Sequence, residues 1–280
     1  MFSDVLLTVD FDRTLTGPDS QIPQRNLEAI TYFMENGGKF TVNTGRSGAT
    51  FWMHLDTLPH NAPWLLYNGS AAYDNGQLIN CKPLDMDVNE VMQKMIQLFP
   101  DMNLEIQGTK VHYLVNATPE MDEVYKNLNW RYTRQPYDEA QGPFMKFALF
   151  GQPRTPDMST FYDISEEEER RFVEAERMLH ALYPGKIETF RAAPRIIDVH
   201  AKGVSKCAAA RNLQKQLGRK ILVCVGDAEN DITMLQGADY AFCPSDGVIA
   251  DQFPNVCPCG EGAVADVIYN EIPKILGIQP

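Results

Sequence analysis

The chain has 280 residues, 44% of them hydrophobic, with 25 Lys and Arg set against 37 Asp and Glu. A net charge of −12 argues against nucleic acid or an anionic membrane surface as its main partner. The length allows one large domain or two smaller ones, and no continuous apolar stretch reaches transmembrane length.

The first apolar run, DVLLTVD (4–10), is short and unbroken, the pattern of a strand covered on both faces. It has no basic region before it and ends in acid, so no signal peptide is expected there. Asp10 and Asp12 stand at its exit, with Thr14 beyond. A plain strand-to-loop exit uses such residues as readily as a phosphoryl-transfer site does. IPQRNLEAITYFMENGG (22–38) has Leu27, Ile30, Phe33 and Met34 at helical spacing and stops on Gly37–Gly38. KFTVNTG reads as a second strand, SGATFWMHLDTL (47–58) as a second helix and APWLLYNG as a third strand. Strands separated by helices predict parallel βαβ units in a doubly wound sheet.

After Cys81 the pattern changes. DVNEVMQKMIQLFPD (87–101) predicts a helix with Val91, Met92, Met95, Ile96 and Phe99 on one face. NLEIQ and KVHYLVN read as a hairpin around Gly108, PEMDEVYKNL as a short helix and FMKFALFG as a strand. SEEEERRFVEAERMLHALYPG is a long amphipathic helix with Ser165 and Glu168 in capping-box spacing, and two strands, KIETFRA and PRIIDVHA, follow it. The acidic run 166–169 fits a solvated first turn favoured by the helix dipole better than a metal site. Adjacent strands without regular alternation make this section an α+β insert, roughly 83–200.

From Lys202 the alternation returns: helix GVSKCAAARNLQKQLG, strand KILVCVG, helix ENDITMLQG, strand DYAFCP and final helix EGAVADVIYNEI. The expected fold is therefore α/β, a doubly wound parallel-sheet, Rossmann-like core (1–82 and 201–280) interrupted by the insert. The six cysteines are scattered, several within apolar runs, as expected of reduced thiols in a cytoplasmic protein. The CPC stretch at 257–259 lacks a second Cys or His cluster to complete a metal site.

Four stretches sit where an apolar strand gives way to a loop or helix, the edge where open α/β sheets bind ligands. They are DFDRT with Asp10 and Asp12, VNTGRS with Thr44, KGVSKCAAA with Lys206, and VCVGDAENDITML with Asp227, Asn230 and Asp231. Singly each has an ordinary explanation: a cap, a solvated lysine, a loop. Together they crowd carboxylates whose mutual repulsion a divalent cation would relieve. Oxygen ligands, few in number, suit Mg²⁺ best.

The combination resembles the haloacid dehalogenase superfamily, and within it the Cof-type phosphatases whose large α/β cap (type IIB) is inserted between the second and third motifs. DFDRT is similar to the nucleophile motif DxDxT, Thr44 to the second motif, Lys206 in GVSK to the third and GDAEND to the metal motif GDxxND. LLYNGSAAYD and CGEGAVADVI are similar to further stretches of Cof-type members. Two points stay open at this stage. Arg13 stands where this subfamily usually has Gly, and Lys202 competes with Lys206 for the third motif.

The resemblance implies an Mg²⁺-dependent phosphatase acting on small phosphorylated metabolites, sugar phosphates foremost, with residues 83–200 as the cap. Asp10 would be the nucleophile that forms an aspartyl-phosphate, and Asp12 the acid and base. Asp10, Asp227, Asp231 and the carbonyl of Asp12 would hold the metal. Thr44, Gly45, Arg46, Asn68, Lys206 and Asn230 would contact phosphate or substrate, and Arg191 and Arg195 are further specificity candidates. The alternatives are a phosphotransferase or phosphomutase on the same scaffold, and a non-catalytic phosphate-binding or phospho-accepting protein. Oligomeric state is not readable from the sequence.

Overall fold

The computed structural model describes residues 1–54, 58–134 and 139–278, the side chain of Trp52 excepted. In chain order β1 (Val5–Val9) is followed by α1 (Gln24–Glu35), β2 (Lys39–Val42), the single turn α2 (Gly48–Phe51), β3 (Trp64–Leu66), β4 (Ala71–Asp74) and β5 (Gln77–Cys81). The middle section contains α3 (Val88–Leu98), β6 (Asn103–Gly108), β7 (His112–Asn116), α4 (Pro119–Asn127), β8 (Tyr132–Thr133), β9 (Phe144–Phe150), α5 (Glu166–Leu182), β10 (Ile187–Ala193) and β11 (Ile196–Ala201). The chain closes with α6 (Lys206–Gln216), β12 (Ile221–Val225), α7 (Ile232–Gln236), β13 (Tyr240–Pro244), β14 (Asn255–Val256), α8 (Ala263–Asp266) and α9 (Ile272–Ile275).

Contacts divide these elements into two compact units. The first holds Met1–Gly45, His54–Asn80 and Ser205–Pro280, and the second holds Arg46–Met53 and Cys81–Val204. Arg46–Met53 thus groups with the second unit, a detail that sequence periodicity does not signal.

In the first unit every residue of β1 is buried, as its unbroken apolar run requires of a central strand. It pairs in parallel with β12 (Val9 opposite Val225) and with β2 (Val9 opposite Val42). The sheet order is β14-β13-β12-β1-β2, parallel throughout, and an isolated parallel bridge joins Asn43 to Leu65 of β3. Leu6, Leu222 and Cys224 of the sheet pack with Ala210 and Leu213 of α6 and with Met234 and Leu235 of the α7 turn. The order reverses between β1 and β12: β1 leads to β2 on one side, and β12 leads to β13 on the other. Loops diverge at such a switch point and leave a crevice at the strands' carboxyl ends.

The second unit is built on a six-stranded sheet, β10-β11-β9-β6-β7-β8, antiparallel except for the β7–β8 pair. Its strands alternate. Leu104, Ile106, Phe147, Leu149, Ile197 and Val199 meet Val91, Met92 and Met95 of α3 and Phe172, Ala175 and Leu179 of α5. The opposite face packs Leu114, Ala148, Phe150 and Ile196 against α4, but it also buries Glu105, Gln107, His112, Lys146 and Asp198. Asp87 caps α3 by accepting the Asn89 and Glu90 amides, and Ser165 and Glu168 form the expected reciprocal capping box of α5.

The helix expected over 47–58 is reduced to α2 and a 3-10 turn, Trp52–His54, and its residues 55–57 lie outside the described residues. Gly48, Thr50 and the aromatic residues there are weak helix formers, and one capped turn is what remains. The two-residue strands β8 and β14 have too little sequence to announce themselves.

Candidate active site

Asp10 leaves β1 with its amide donating to the Val225 carbonyl at 2.9 Å, which carries the following loop along the edge of β12. The loop then makes one irregular turn over Phe11–Leu15. Thr14 is buried in that turn, and its hydroxyl donates to Asp227 Oδ1 at 2.8 Å. Asn26 of α1 closes the turn from behind by donating to the Leu15 carbonyl.

The loop after β12 supplies the remaining acids. Asp231 Oδ2 accepts the Asp227 and Ala228 amides at 3.0 and 3.2 Å, folding GDAEND back on itself. A Cβ at Gly226 would stand 2.6 Å from the Asp231 Cβ and Cγ, so the fold-back admits only glycine there. Lys206 is the first residue of α6, whose N-cap Ser205 accepts the Ala208 amide. Its Nζ lies 2.6 Å from Asp10 Oδ1 and 2.6 Å from Asp231 Oδ1. Asn43, just past β2, donates to the Lys206 carbonyl at 2.8 Å and holds the start of that helix.

Of the two candidate lysines, Lys206 is therefore the one that reaches the acids. Lys202 instead pairs with Glu188 in the second unit and is 59% exposed.

Asp10, Asp227 and Asp231 are all buried, and each brings an oxygen within 4.8 Å of the others. At that range two carboxylates repel by about 3 kcal/mol in an effective dielectric near 20. Burial, followed by the charges of Asp231, Asp227 and Asp12, lifts the Asp10 carboxyl well above the usual carboxylate range although Lys206 opposes it. Burial and Asp231 push Asp227 up to about 7. Two of these carboxylates act back on the lysine: despite burial, Asp10 and Asp231 keep the Lys206 ammonium well above its ordinary value. One ammonium cannot balance three carboxylates with Asp12 beside them. An all-oxygen donor set with excess negative charge fits a hard divalent cation. Among the described residues this is the one cluster of acids, thiols or imidazoles able to hold a metal ion.

Thr44 is 1% exposed; its amide donates to Leu65 and its carbonyl accepts the Asn68 amide, both at 2.9 Å. A Cβ at Gly45 would stand 3.0 Å from Asn68 Oδ1, which places Asn68 against the Thr44–Gly45 turn. Asp12 and Asn230 are half-buried, Asn230 within the turn Glu229–Asp231. Arg46 is half-buried and opens the segment that groups with the second unit.

Arg13 has φ 58° and ψ 12°, in the left-handed region. A glycine at this place relieves backbone strain, which is the physical content of the subfamily's usual residue. Arg13 is exposed, and its charge acts on Asp246 and Cys259.

Arg191 and Arg195 are engaged inside the second unit. Arg195 is 2% exposed and donates to the Thr160 and Gln152 carbonyls at 2.7 Å, with Glu168 at 3.2 Å. Arg191 pairs with Glu169 at 2.9 Å and Glu176 at 3.3 Å and donates to the Pro194 carbonyl. Both act as internal braces, and two acids of the 166–169 run are their partners.

Thr14, Asn43 and Asn26 position the site without having been singled out as site residues. Thr14 had a signal, as the last letter of DxDxT. Asn43 and Asn26 had none, because their partners lie 163 and 11 residues away in main-chain carbonyls. The CPC thiols do not form a metal site: Cys259 donates to Asp246 at 3.2 Å, and burial raises its thiol to about 11. All six cysteines are free, and no helix among the described residues is long and apolar enough to cross a membrane.

A parallel sheet with buried acids and a lysine at its switch point is an α/β fold with a polar site where such sheets bind ligands. The haloacid dehalogenase-like hydrolase profile matches residues 7–248, and the chain belongs to that family. An uncharacterized hydrolase of Schizosaccharomyces pombe is 24% identical over 95% of this chain and 91% of its own length. The 5-amino-6-(5-phospho-D-ribitylamino)uracil phosphatase YcsE of Bacillus subtilis is 25% identical over 83% of this chain and 80% of its own. Among solved structures, the fold is shared with a haloacid dehalogenase-like hydrolase from Bacteroides thetaiotaomicron (TM-score 0.77, 18% identity, 94% and 97% of the two chains). It is also shared with the HAD subclass IIB sugar phosphatase BT4131 (TM-score 0.73, 19% identity, 98% and 99%). The chain is thus an enzyme of the hydrolase class, and its phosphatase relatives support phosphatase activity on a small phosphorylated substrate.

Proposed function

We propose that the chain is a cytoplasmic, Mg²⁺-dependent phosphatase that hydrolyses small phosphorylated metabolites, sugar phosphates foremost. The observation that carries this reading is Lys206, buried at 2.6 Å from both Asp10 and Asp231 with Asp227 beside them. A ribitylamino phosphate in the name of one relative and a sugar phosphate in that of a structural neighbour share a phosphorylated polyol, which favours that substrate class. Six free thiols suit a reducing compartment.

Asp10, Asp227 and Asp231, with the carbonyl of Asp12, would hold the cation. When bound, it supplies positive charge to the phosphoryl oxygens and so lets a carboxylate approach them. Asp10 attacks phosphorus, forming an aspartyl-phosphate as the bond to the leaving alcohol breaks. Asp12 gives that alkoxide its proton, then takes one from the water that cleaves the aspartyl-phosphate and frees Asp10. Lys206 and the Thr44 hydroxyl stabilise charge on the transferred group, with Gly45, Arg46, Asn68 and Asn230 as further phosphate or substrate contacts. The second unit, read as a cap over 83–200, would exclude water and select the leaving group.

The test is phosphate release from p-nitrophenyl phosphate. Asp10→Asn is expected to abolish turnover with an unchanged circular dichroism spectrum, and EDTA is expected to abolish it in the wild type until Mg²⁺ is returned. Retained turnover in either case overturns the assignment.

A further inference from the structure

The second unit contains a buried chain of polar contacts that the reaction above does not use. Ser47 closes the one turn of α2: its hydroxyl accepts the Thr50 amide at 3.0 Å, and its own amide donates to Thr50 Oγ1 at 3.0 Å. On its other side the hydroxyl meets His112 Nε2, from β7, at 2.5 Å. His112 Nδ1 lies 3.2 Å from Glu105 Oε2 on β6, and the Tyr125 hydroxyl of α4 donates to the same oxygen. Ser47 and His112 are 1% exposed; Glu105 and Tyr125 are fully buried. Burial alone would raise the Glu105 carboxyl, but the His112 ring, the Lys146 charge and the hydrogen bond from Gln107 together hold the acid below its ordinary value. The Glu105 carboxylate faces the Nδ1 side of the ring at 3.2 Å as a charge contact rather than a hydrogen bond, while Nε2 meets Ser47.

Serine, histidine and carboxylate in this order are also the parts of a hydrolytic triad. Here the serine hydroxyl is already an acceptor for a helix amide and is closed to any substrate carbonyl, so nucleophilic use is ruled out by access. We infer instead that Glu105–His112–Ser47 is a positioning chain for Arg46: it pins the backbone immediately after Arg46 and so sets where a phosphate-gripping guanidinium is rooted. The need is physical. An arginine side chain carries about 2 kcal/mol of rotamer entropy, and a root shifted by about 1 Å forfeits much of its binding. The inference rests on the phosphatase reading in one respect, that Arg46 binds the phosphoryl group.

The full chain is tested as Ser47→Ala, His112→Gln, the double variant, and Ser47→Thr, which keeps the hydroxyl. Four quantities are read: kcat and KM with p-nitrophenyl phosphate, Kd for inorganic phosphate by calorimetry, and melting temperature. Loss of one hydrogen bond of about 1 kcal/mol predicts KM and Kd raised about fivefold in each single variant, with kcat within twofold. The double variant should be no worse than the weaker single, and Ser47→Thr should match the wild type. A lowered melting temperature with KM and Kd unchanged overturns the inference, as does a fully additive double variant or a loss confined to kcat. If an Ala or Gln variant does not fold, Glu105→Gln, which keeps shape and removes only charge, is expected to raise KM and Kd about threefold, and unchanged values overturn the inference equally. A wild type that binds phosphate but hydrolyses nothing refutes the phosphatase reading, while the Kd series still decides the positioning chain. A wild type that does neither overturns both.

Discussion

Replacing Lys206 with Met keeps the length of the side chain and removes its ammonium. That ammonium is 1% exposed and sits 2.6 Å from Asp10 Oδ1 and from Asp231 Oδ1, so both acids lose their shared partner in a buried site. Removing one member of a buried ion pair destabilises by about 3–5 kcal/mol. Two charge-assisted hydrogen bonds at about 1.5–3 kcal/mol each lead to the same range. At about 2–4 °C per kcal/mol for a unit of this size, the variant should melt about 10 °C lower in chelator. Added Mg²⁺ should recover more stability in the variant than in the wild type, because the added charge meets a site left with three acids and no lysine. Turnover should fall by about 10²–10³-fold, the loss typical of one charge-stabilising donor. Scanning fluorimetry with EDTA and with Mg²⁺, beside steady-state phosphate release, reads all three. A melting temperature in chelator within about 2 °C of the wild type would refute the claim that Lys206 balances the acids. Undiminished turnover would remove it from the reaction.

Three further outcomes are expected. Arg13→Gly should stabilise the chain by about 1 kcal/mol, because the residue sits at φ 58° where a side chain is strained. Its charge acts on Asp246 and Cys259, so kcat/KM should stay within about twofold; a loss beyond tenfold would make Arg13 a substrate ligand. Thr14→Val removes the hydroxyl that orients Asp227 at 2.8 Å, and the Mg²⁺ concentration for half-maximal activity should rise at least tenfold; an unchanged titration is the contrary result. Glu168 is held near pKa 2, since hydrogen bonds from Ser165 and Arg154 and the charge of Arg195 outweigh its burial. A depressed carboxylate adds stability that is full above its unfolded value of 4.5 and lost as pH falls toward 2. Discounted for its 28% exposure, the contribution is about 1–2 kcal/mol, so the gap in urea midpoint between wild type and Glu168→Gln should close between those pH values. A gap independent of pH would contradict the assignment.

Long periodic segments were legible because burial imposes a period: α1, α3, α5 and α6 lie on their helical stretches, and β1 on its unbroken apolar run. Short elements were not. Two residues of β8 or β14 carry no period, and α2 shrank to a turn because its cap is stronger than its helix propensity. The same division runs through the candidate site. Asp10, Asp227 and Asp231 were named because a strand exit confines a motif to a few consecutive letters, whereas Lys206 needed a distance to separate it from Lys202. Arg191 and Arg195 stayed open because a guanidinium looks the same in sequence whether it faces a substrate or braces a helix; the structure shows carbonyl and carboxylate partners for both. Ser47, His112 and Glu105 gave no signal at all, being 65 and 7 residues apart and joined only when the sheet forms.

Arg13 marks the limit most clearly. A departure from glycine is visible in the letters, but its cause is a dihedral angle. The left-handed backbone there is demanded by a loop that must bring both Asp10 and Thr14 toward Asp227, so the strain belongs to the turn and is independent of the guanidinium. It follows that the arginine is tolerated by the loop rather than required by it, and that relieving it should leave the acids where they are.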